Sequence, residues 1–286
     1  MKVAFHIGAI GTEETGIRSC LATNRDRLAG LGIELSPNRL NEAILNEALR
    51  ALGGGVASAE MEEVVLDALV EGEGTTRLVV SRSSLMGLPR RAFQPEGLFF
   101  GCGPRLKALA NVLPSCECAF FLGIRNPATL LPELAPRIGQ TIEMPPAEEL
   151  RWAPTLHEIV AELGGRRLVV WCNEDAPFVL PEAIRAIAGL PPDAELEGDN
   201  PVLERILTKT GLRRLAGRLE RVGPGEVAER RRNLAEVLAR HHQPDAISTR
   251  IDLFGWDQAT VDYITASYDE DVAEIAALPG VEFLVP

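Results

Sequence analysis

The chain has 286 residues, 46% of them hydrophobic, and a formal net charge of -12. That length supports one large α/β domain or one carrying an insertion, and the acidity argues against nucleic acid as the main partner. No apolar stretch reaches the ~18 residues of a membrane span, and the first apolar run breaks at Thr12-Glu13-Glu14, too early for a signal peptide.

In chain order, Val3 to Gly8 reads as a buried strand, and Gly16 to Gly30 as a helix carrying Ile17, Leu21 and Leu28. A Gly-containing turn joins them, so the chain opens as a βαβ unit with a helix N-terminus facing the turn. Ser36-Pro37-Asn38 predicts a turn. Helices are expected at about 40–52, stopped by Gly53-Gly54-Gly55, and at 58–70, started by Ser58. Thr75 to Ser81 is a β-branched strand. Met86 to Gly103 is irregular, with Arg90 and Arg91 exposed, and a helix follows over about 104–112.

Cys116 to Ile124 is a nearly unbroken apolar run, the pattern of a central parallel strand, and a helix runs on to about Ile138. A helix over 152–163, a strand over 167–171 and a helix over 181–188 come next. Residues 189–254 change character, with an acidic stretch and an Arg-rich helical region, and read as a helical insertion. A helix at 260–277 and a strand at 281–285 close the chain. The prediction is a single α/β domain over 1–286, its parallel sheet covered by helices on both faces, with the insertion near its C-terminus.

The five cysteines, Cys20, Cys102, Cys116, Cys118 and Cys172, show no disulfide-like spacing. They predict reduced thiols and a cytoplasmic location. Cys116 and Cys118 lack a second Cys or His pair at ligand spacing, so no metal is expected. Lysine occurs only at Lys2, Lys107 and Lys209.

In an open α/β sheet, ligands bind beyond the carboxyl ends of the strands. Four such ends are Gly8 to Thr15, Ser81 to Ser84, Arg125-Asn126 and Asn173 to Asp175. Arg125 follows an apolar strand and precedes Pro127, which projects its guanidinium at the sheet top, where a planar fork suits phosphate. The alternative is a salt bridge to Glu13, Glu14 or Glu174. Ser81 and Ser83 offer hydroxyls at a strand end, for a ligand or for the backbone. Arg18, one turn into the first helix, either reaches the loop or faces solvent. Glu13 and Glu14 form either a general base, if burial raises a carboxylate, or a solvated helix start. His6, inside the first strand, reads as a core histidine with its hydrogen bonds satisfied. The turn is not a Walker loop: Gly11 and Gly16 have the spacing, but Ile17 and Arg18 follow where Lys and Ser/Thr are needed.

The opening stretch resembles the sulfotransferase family, whose P-loop-like fold starts His-Ile-Gly-x-x-Lys-Thr-Gly-Thr-Thr and continues to Asn-Arg-x-x-Leu. This chain has His6-Ile7-Gly8 and Asn24-Arg25-x-x-Leu28 at the same spacing. The family's lysine falls on Gly11, its first Thr on Thr12, its Gly on Glu13 and its last Thr on Thr15. Arg125-Asn126-Pro127 matches the family's Arg-x-Pro, which binds the 3'-phosphate of the nucleotide donor. The serine that accompanies it falls on Glu133.

The resemblance implies a transferase moving a sulfonate group from 3'-phosphoadenylyl sulfate to a hydroxyl of a small molecule or glycan. Gly11, Thr12, Thr15, Arg18, Ser81, Ser83 and Arg125 would hold the donor, and Glu13 or Glu14 would act on the acceptor. Without the loop lysine, Arg18 or Arg82 has to stabilise the transferred charge. The second reading is a non-catalytic P-loop-like scaffold that binds a protein or another small ligand. Arg230-Arg231-Arg232 reads as a solvated face, with self-association through an acidic stretch such as Glu195 to Asp199 of another copy as the alternative.

Overall fold

The computed structural model describes residues 1–36, 40–94, 96–138, 146–247, 251 and 255–286. The predicted turn at Pro37-Asn38 and the end of the predicted insertion lie outside these residues. In chain order the elements are β1 (Lys2–Gly8), α1 (Glu14–Thr23), α2 (Arg25–Ala29), β2 (Ile33–Leu35), α3 (Leu40–Leu52), α4 (Ala59–Leu69), β3 (Arg77–Ser81), β4 (Phe93–Gln94), β5 (Gly97–Leu98), α5 (Gly103–Val112), β6 (Glu117–Ile124), α6 (Pro127–Ile138), α7 (Ala153–Leu163), β7 (Leu168–Cys172), α8 (Ala176–Ala188), α9 (Leu203–Ile206), α10 (Lys209–Leu219), α11 (Val227–His241), α12 (Pro244–Ile247), α13 (Gln258–Ala276) and β8 (Val281–Leu284).

The protein is α/β. Among the described residues, a six-stranded sheet runs β2-β3-β1-β6-β7-β8, and every neighbouring pair is parallel. A separate antiparallel pair, β4 and β5, lies outside it. Strand alternation distributes the core. Val3, Phe5 and Ile7 of β1, with Phe120, Leu122 and Ile124 of β6, face one side, where α3 to α7 and α13 pack. Ala4, Phe121, Val169 and Trp171 face the other, against α1, α2 and α8. Burial on both sides explains the continuous apolar runs of the central strands.

Three departures from the sequence reading have local causes. The first predicted helix breaks at Asn24, whose side-chain amide donates to the carbonyl of Cys20 (2.8 Å) and of Glu197 (2.9 Å) and accepts from the Glu197 N–H (3.0 Å). Strand β2 was not expected, because three residues carry too little periodicity to read. Helix α8 starts at Ala176, not at Pro181, with Pro177 in its first turn. Inside that helix, Pro181 has no N–H for the Pro177 carbonyl, and Asn200 Nδ2 fills the gap at 2.6 Å. Ser58 caps α4 as expected, accepting from the Met61 N–H at 3.3 Å.

Helices α9 to α12 fall in the stretch read as an insertion. Ile206, Leu207, Leu215, Leu234 and Val237 form their own small cluster. Polar contacts dock them on α8: Arg231 pairs with Glu182 at 2.7 Å, and the buried Arg185 pairs with Asp199 at 2.8 Å. Asp199 is thus engaged within its own chain. No helix among the described residues is long and apolar enough to cross a membrane.

Candidate functional site

The chain leaves β1 toward α1 on one face of the sheet and leaves its neighbour β6 toward α6 on the other. Adjacent strands whose connections diverge open a crevice at their carboxyl ends. A cleft of about 630 Å³ lies there. All four strand ends named from the sequence contribute to it: Gly11 to Thr15, Ser83, Arg125, and Asn173 with Glu174. The helices after α8 supply the facing wall through Val202, Arg205, Ile206, Ala246 and Ile247.

The loop after β1 is seated on β6, with the Ala9 N–H donating to the Gly123 carbonyl at 2.9 Å. The Thr12 hydroxyl turns back to the Ala9 carbonyl at 2.7 Å. Gly11 has φ +88°, and a Cβ there would stand 2.7 Å from Leu130 Cδ1. Gly16 packs against Pro201, whose Cγ would lie 2.6 Å from an added Cβ. Glycine at both positions therefore lets α6 and the segment before α9 approach the loop.

Arg125 is anchored at three points. Its Nε donates to Thr129 Oγ1 (3.0 Å), and its Nη1 donates to the Gly11 carbonyl (2.7 Å) and to Glu133 Oε2. Glu133 also pairs with Arg137 at 2.8 Å. The expected salt bridge thus exists with a different partner: not Glu13, Glu14 or Glu174, but Glu133, eight residues along α6. Trp152 Nε1 fixes the Arg125 backbone by donating to its carbonyl at 2.8 Å. Glu13 and Glu174 have their own partners. Glu13 pairs with Arg205 of α9. Glu174 accepts from the Asn126 N–H and from the Tyr268 hydroxyl, each at 2.9 Å.

Gly11, Thr12, Glu13, Glu14, Thr15, Ser83 and Arg125 line this cleft together, whereas Arg18 and Ser81 lie outside its lining. Arg18 Nη1 donates to the Ser81 carbonyl at 2.7 Å, and the buried Ser81 hydroxyl meets His6 Nδ1 at 2.8 Å. His6 is fully enclosed and stacks on Trp171 at 6.0 Å. Burial, then the nearby Arg18 charge, pulls its pKa from 6.5 down to about 3. The imidazole is therefore neutral, and its Nε2 is buried without a partner. The core-histidine reading captured its burial but not this unpaired nitrogen.

The cleft carries four carboxylates, Glu13, Glu14, Glu133 and Glu174, against three guanidinium groups, Arg125, Arg137 and Arg205. The sequence exposed Arg125 through its strand and proline. It did not expose Arg137 or Arg205, which carry no motif and reach the cleft through tertiary packing. Burial pushes the thiols of Cys102, Cys118 and Cys172 up to about 12, so none is a ready nucleophile at neutral pH. Among the described residues, no three or more His, Cys, Asp or Glu side chains cluster as a metal site. No family model, curated protein or solved structure matches this chain.

Proposed function

We propose that this is a divergent sulfotransferase-like protein whose donor site is closed by its own carboxylates, leaving a P-loop-like binding scaffold. The observation that carries this reading is the Arg125–Glu133 pair. In the resemblance, Arg125 and the residue at 133 together hold the 3'-phosphate. Here a carboxylate replaces the hydroxyl and supplies the negative charge that the phosphate would bring. A nucleotide phosphate has to displace Glu133 and then sit beside it, an arrangement that like charge opposes. Glu13 and Glu14 stand at the N-terminus of α1, where a donor phosphate would otherwise find helix N–H groups. No lysine occupies the loop. The cleft wall of Val202, Ile206 and Ile247 then offers an apolar surface to a protein or small ligand.

The second reading, sulfonate transfer from 3'-phosphoadenylyl sulfate to a small-molecule or glycan hydroxyl, draws on a separate observation. Thr12, Thr15, Ser83 and Arg125 share one cleft at a helix N-terminus. Arg18, one of the two arginines expected to replace the loop lysine, is instead turned onto the Ser81 carbonyl.

Calorimetric titration with adenosine 3',5'-bisphosphate, on the wild-type chain and on Arg125→Ala, separates the two. The scaffold reading expects no saturable heat at millimolar nucleotide in either protein. Micromolar binding that disappears in Arg125→Ala restores the transferase reading and calls for an acceptor screen.

A further inference from the structure

A second pocket, about 440 Å³, opens next to the cleft. The two share one 3-10 turn after β3: Ser83 lines the cleft and Ser84 the second pocket. Its walls include Leu88, Arg90, Arg91, Phe99, Phe100 and Arg105. Among the described residues, no Asp or Glu lines it. In a chain with 41 acidic and 29 basic residues, three arginines around such an opening form a local reversal of charge.

The arginines are presented by built structure. Arg105 is aimed by its Nε bond to the Leu85 carbonyl (2.9 Å) and its Nη2 bond to Asn46 Oδ1 (3.0 Å). Arg90 and Arg91 project from a 3-10 turn, Pro89–Arg91, held by the Arg91 N–H on the Leu88 carbonyl (2.8 Å). Among the described residues, neither Arg90 nor Arg91 enters an ion pair.

The floor is stiff. Phe99 is the one non-glycine residue among those described with positive φ, +57°. A bulky residue adopts that conformation only when its surroundings dictate it. The Phe99 ring stacks on Trp152 at 5.8 Å, and its N–H donates to the Ala92 carbonyl at 2.9 Å. Apolar surface flanks the arginines: Leu88 is 47% exposed and Phe100 is half-buried.

We propose that this pocket binds a small organic anion, its phosphate, sulfate or carboxylate head held by Arg90 and Arg91 and its apolar body laid on Leu88 and Phe100. Guanidinium forks engage such oxygens two at a time, which makes them the natural partners of a planar or tetrahedral head. Arg105, held by the Leu85 carbonyl and Asn46, lines the same wall. The inference does not depend on the fate of the loop cleft, because the two openings use different arginines.

The test is calorimetric titration of the full chain with phenyl phosphate, phenylacetate, inorganic phosphate and phenol. Saturable binding of phenyl phosphate or phenylacetate is expected, with inorganic phosphate weaker and phenol silent. The double variant Arg90→Gln/Arg91→Gln should weaken the aryl anion by about tenfold or more, with an unchanged thermal midpoint showing that the fold is intact. Arg213→Gln/Arg214→Gln, on exposed α10, should leave binding unchanged. No saturable binding of either aryl anion, equal binding by the Arg90/Arg91 variant, or inorganic phosphate binding as tightly as phenyl phosphate would each overturn the proposal.

Discussion

Two openings at the carboxyl edge of the sheet both contain arginines, yet the arginines do different things. In the cleft after β1, Arg125 is 17% exposed and spends its donors on Glu133, Thr129 and the Gly11 carbonyl. In the neighbouring pocket, Arg90 and Arg91 face solvent with no ion pair among the described residues. An arginine at the top of an α/β sheet is therefore not yet an anion site. What decides is whether the fold has already placed a carboxylate within its reach. The cleft has internal counter-charges, and the second pocket has room for an external one.

The largest expected effect lies under the cleft, at His6. Its folded pKa, about 3, lies below its unfolded value near 6.5, so the unfolded chain binds the extra proton between those limits. Stability attributable to His6 is therefore fully present above pH 6.5 and is lost as pH falls toward 3, at about 1.4 kcal/mol per pH unit. His6→Phe, which keeps a ring against Trp171 but cannot titrate, should flatten that acid limb in denaturant-unfolding curves. Parallel limbs for the two proteins would sink this account of the imidazole.

Gly11→Ala comes next. It forces a side chain into the left-handed region and toward Leu130, and should cost about 2 kcal/mol or more, read as a lower urea midpoint. A neutral result would mean that the loop is not pinned against α6, and Arg125 would lose one of its three anchors.

The two smaller effects set the openings directly against each other. Arg125→Ala removes a part-buried network and should destabilise by about 1–2 kcal/mol. Arg90→Gln/Arg91→Gln should stay within about 0.5 kcal/mol of wild type. The contrast is that Arg125 stabilises the fold while the exposed pair is available for binding. Similar losses in both proteins, measured by thermal or urea unfolding, would erase it.

Much of the architecture could be read from the sequence. The apolar runs of β1, β3, β6 and β7 have the length and β-branched content of buried strands, and the helices between them carry their own stops. The strand ends located the cleft, because parallel topology sends all of them to one edge. Short or long-range features escaped. Strand β2 is too brief to show a period, and the β4–β5 pair lies inside a stretch rich in Gly and Pro. The Arg205–Glu13 pair spans 192 positions, a relation that no local pattern encodes. Glu133 was visible as the residue standing where the sulfotransferase pattern has serine. Its role as the partner of Arg125 needed the helical geometry of α6, which carries it back over the loop.

The most direct test of the central claim is titration of adenosine 3',5'-bisphosphate into wild type and Glu133→Ser, side by side. If Glu133 is the internal counter-charge that closes the site, wild type gives no saturable heat and Glu133→Ser, with Arg125 released, gains binding. Wild type binding the nucleotide as tightly as Glu133→Ser would contradict the account.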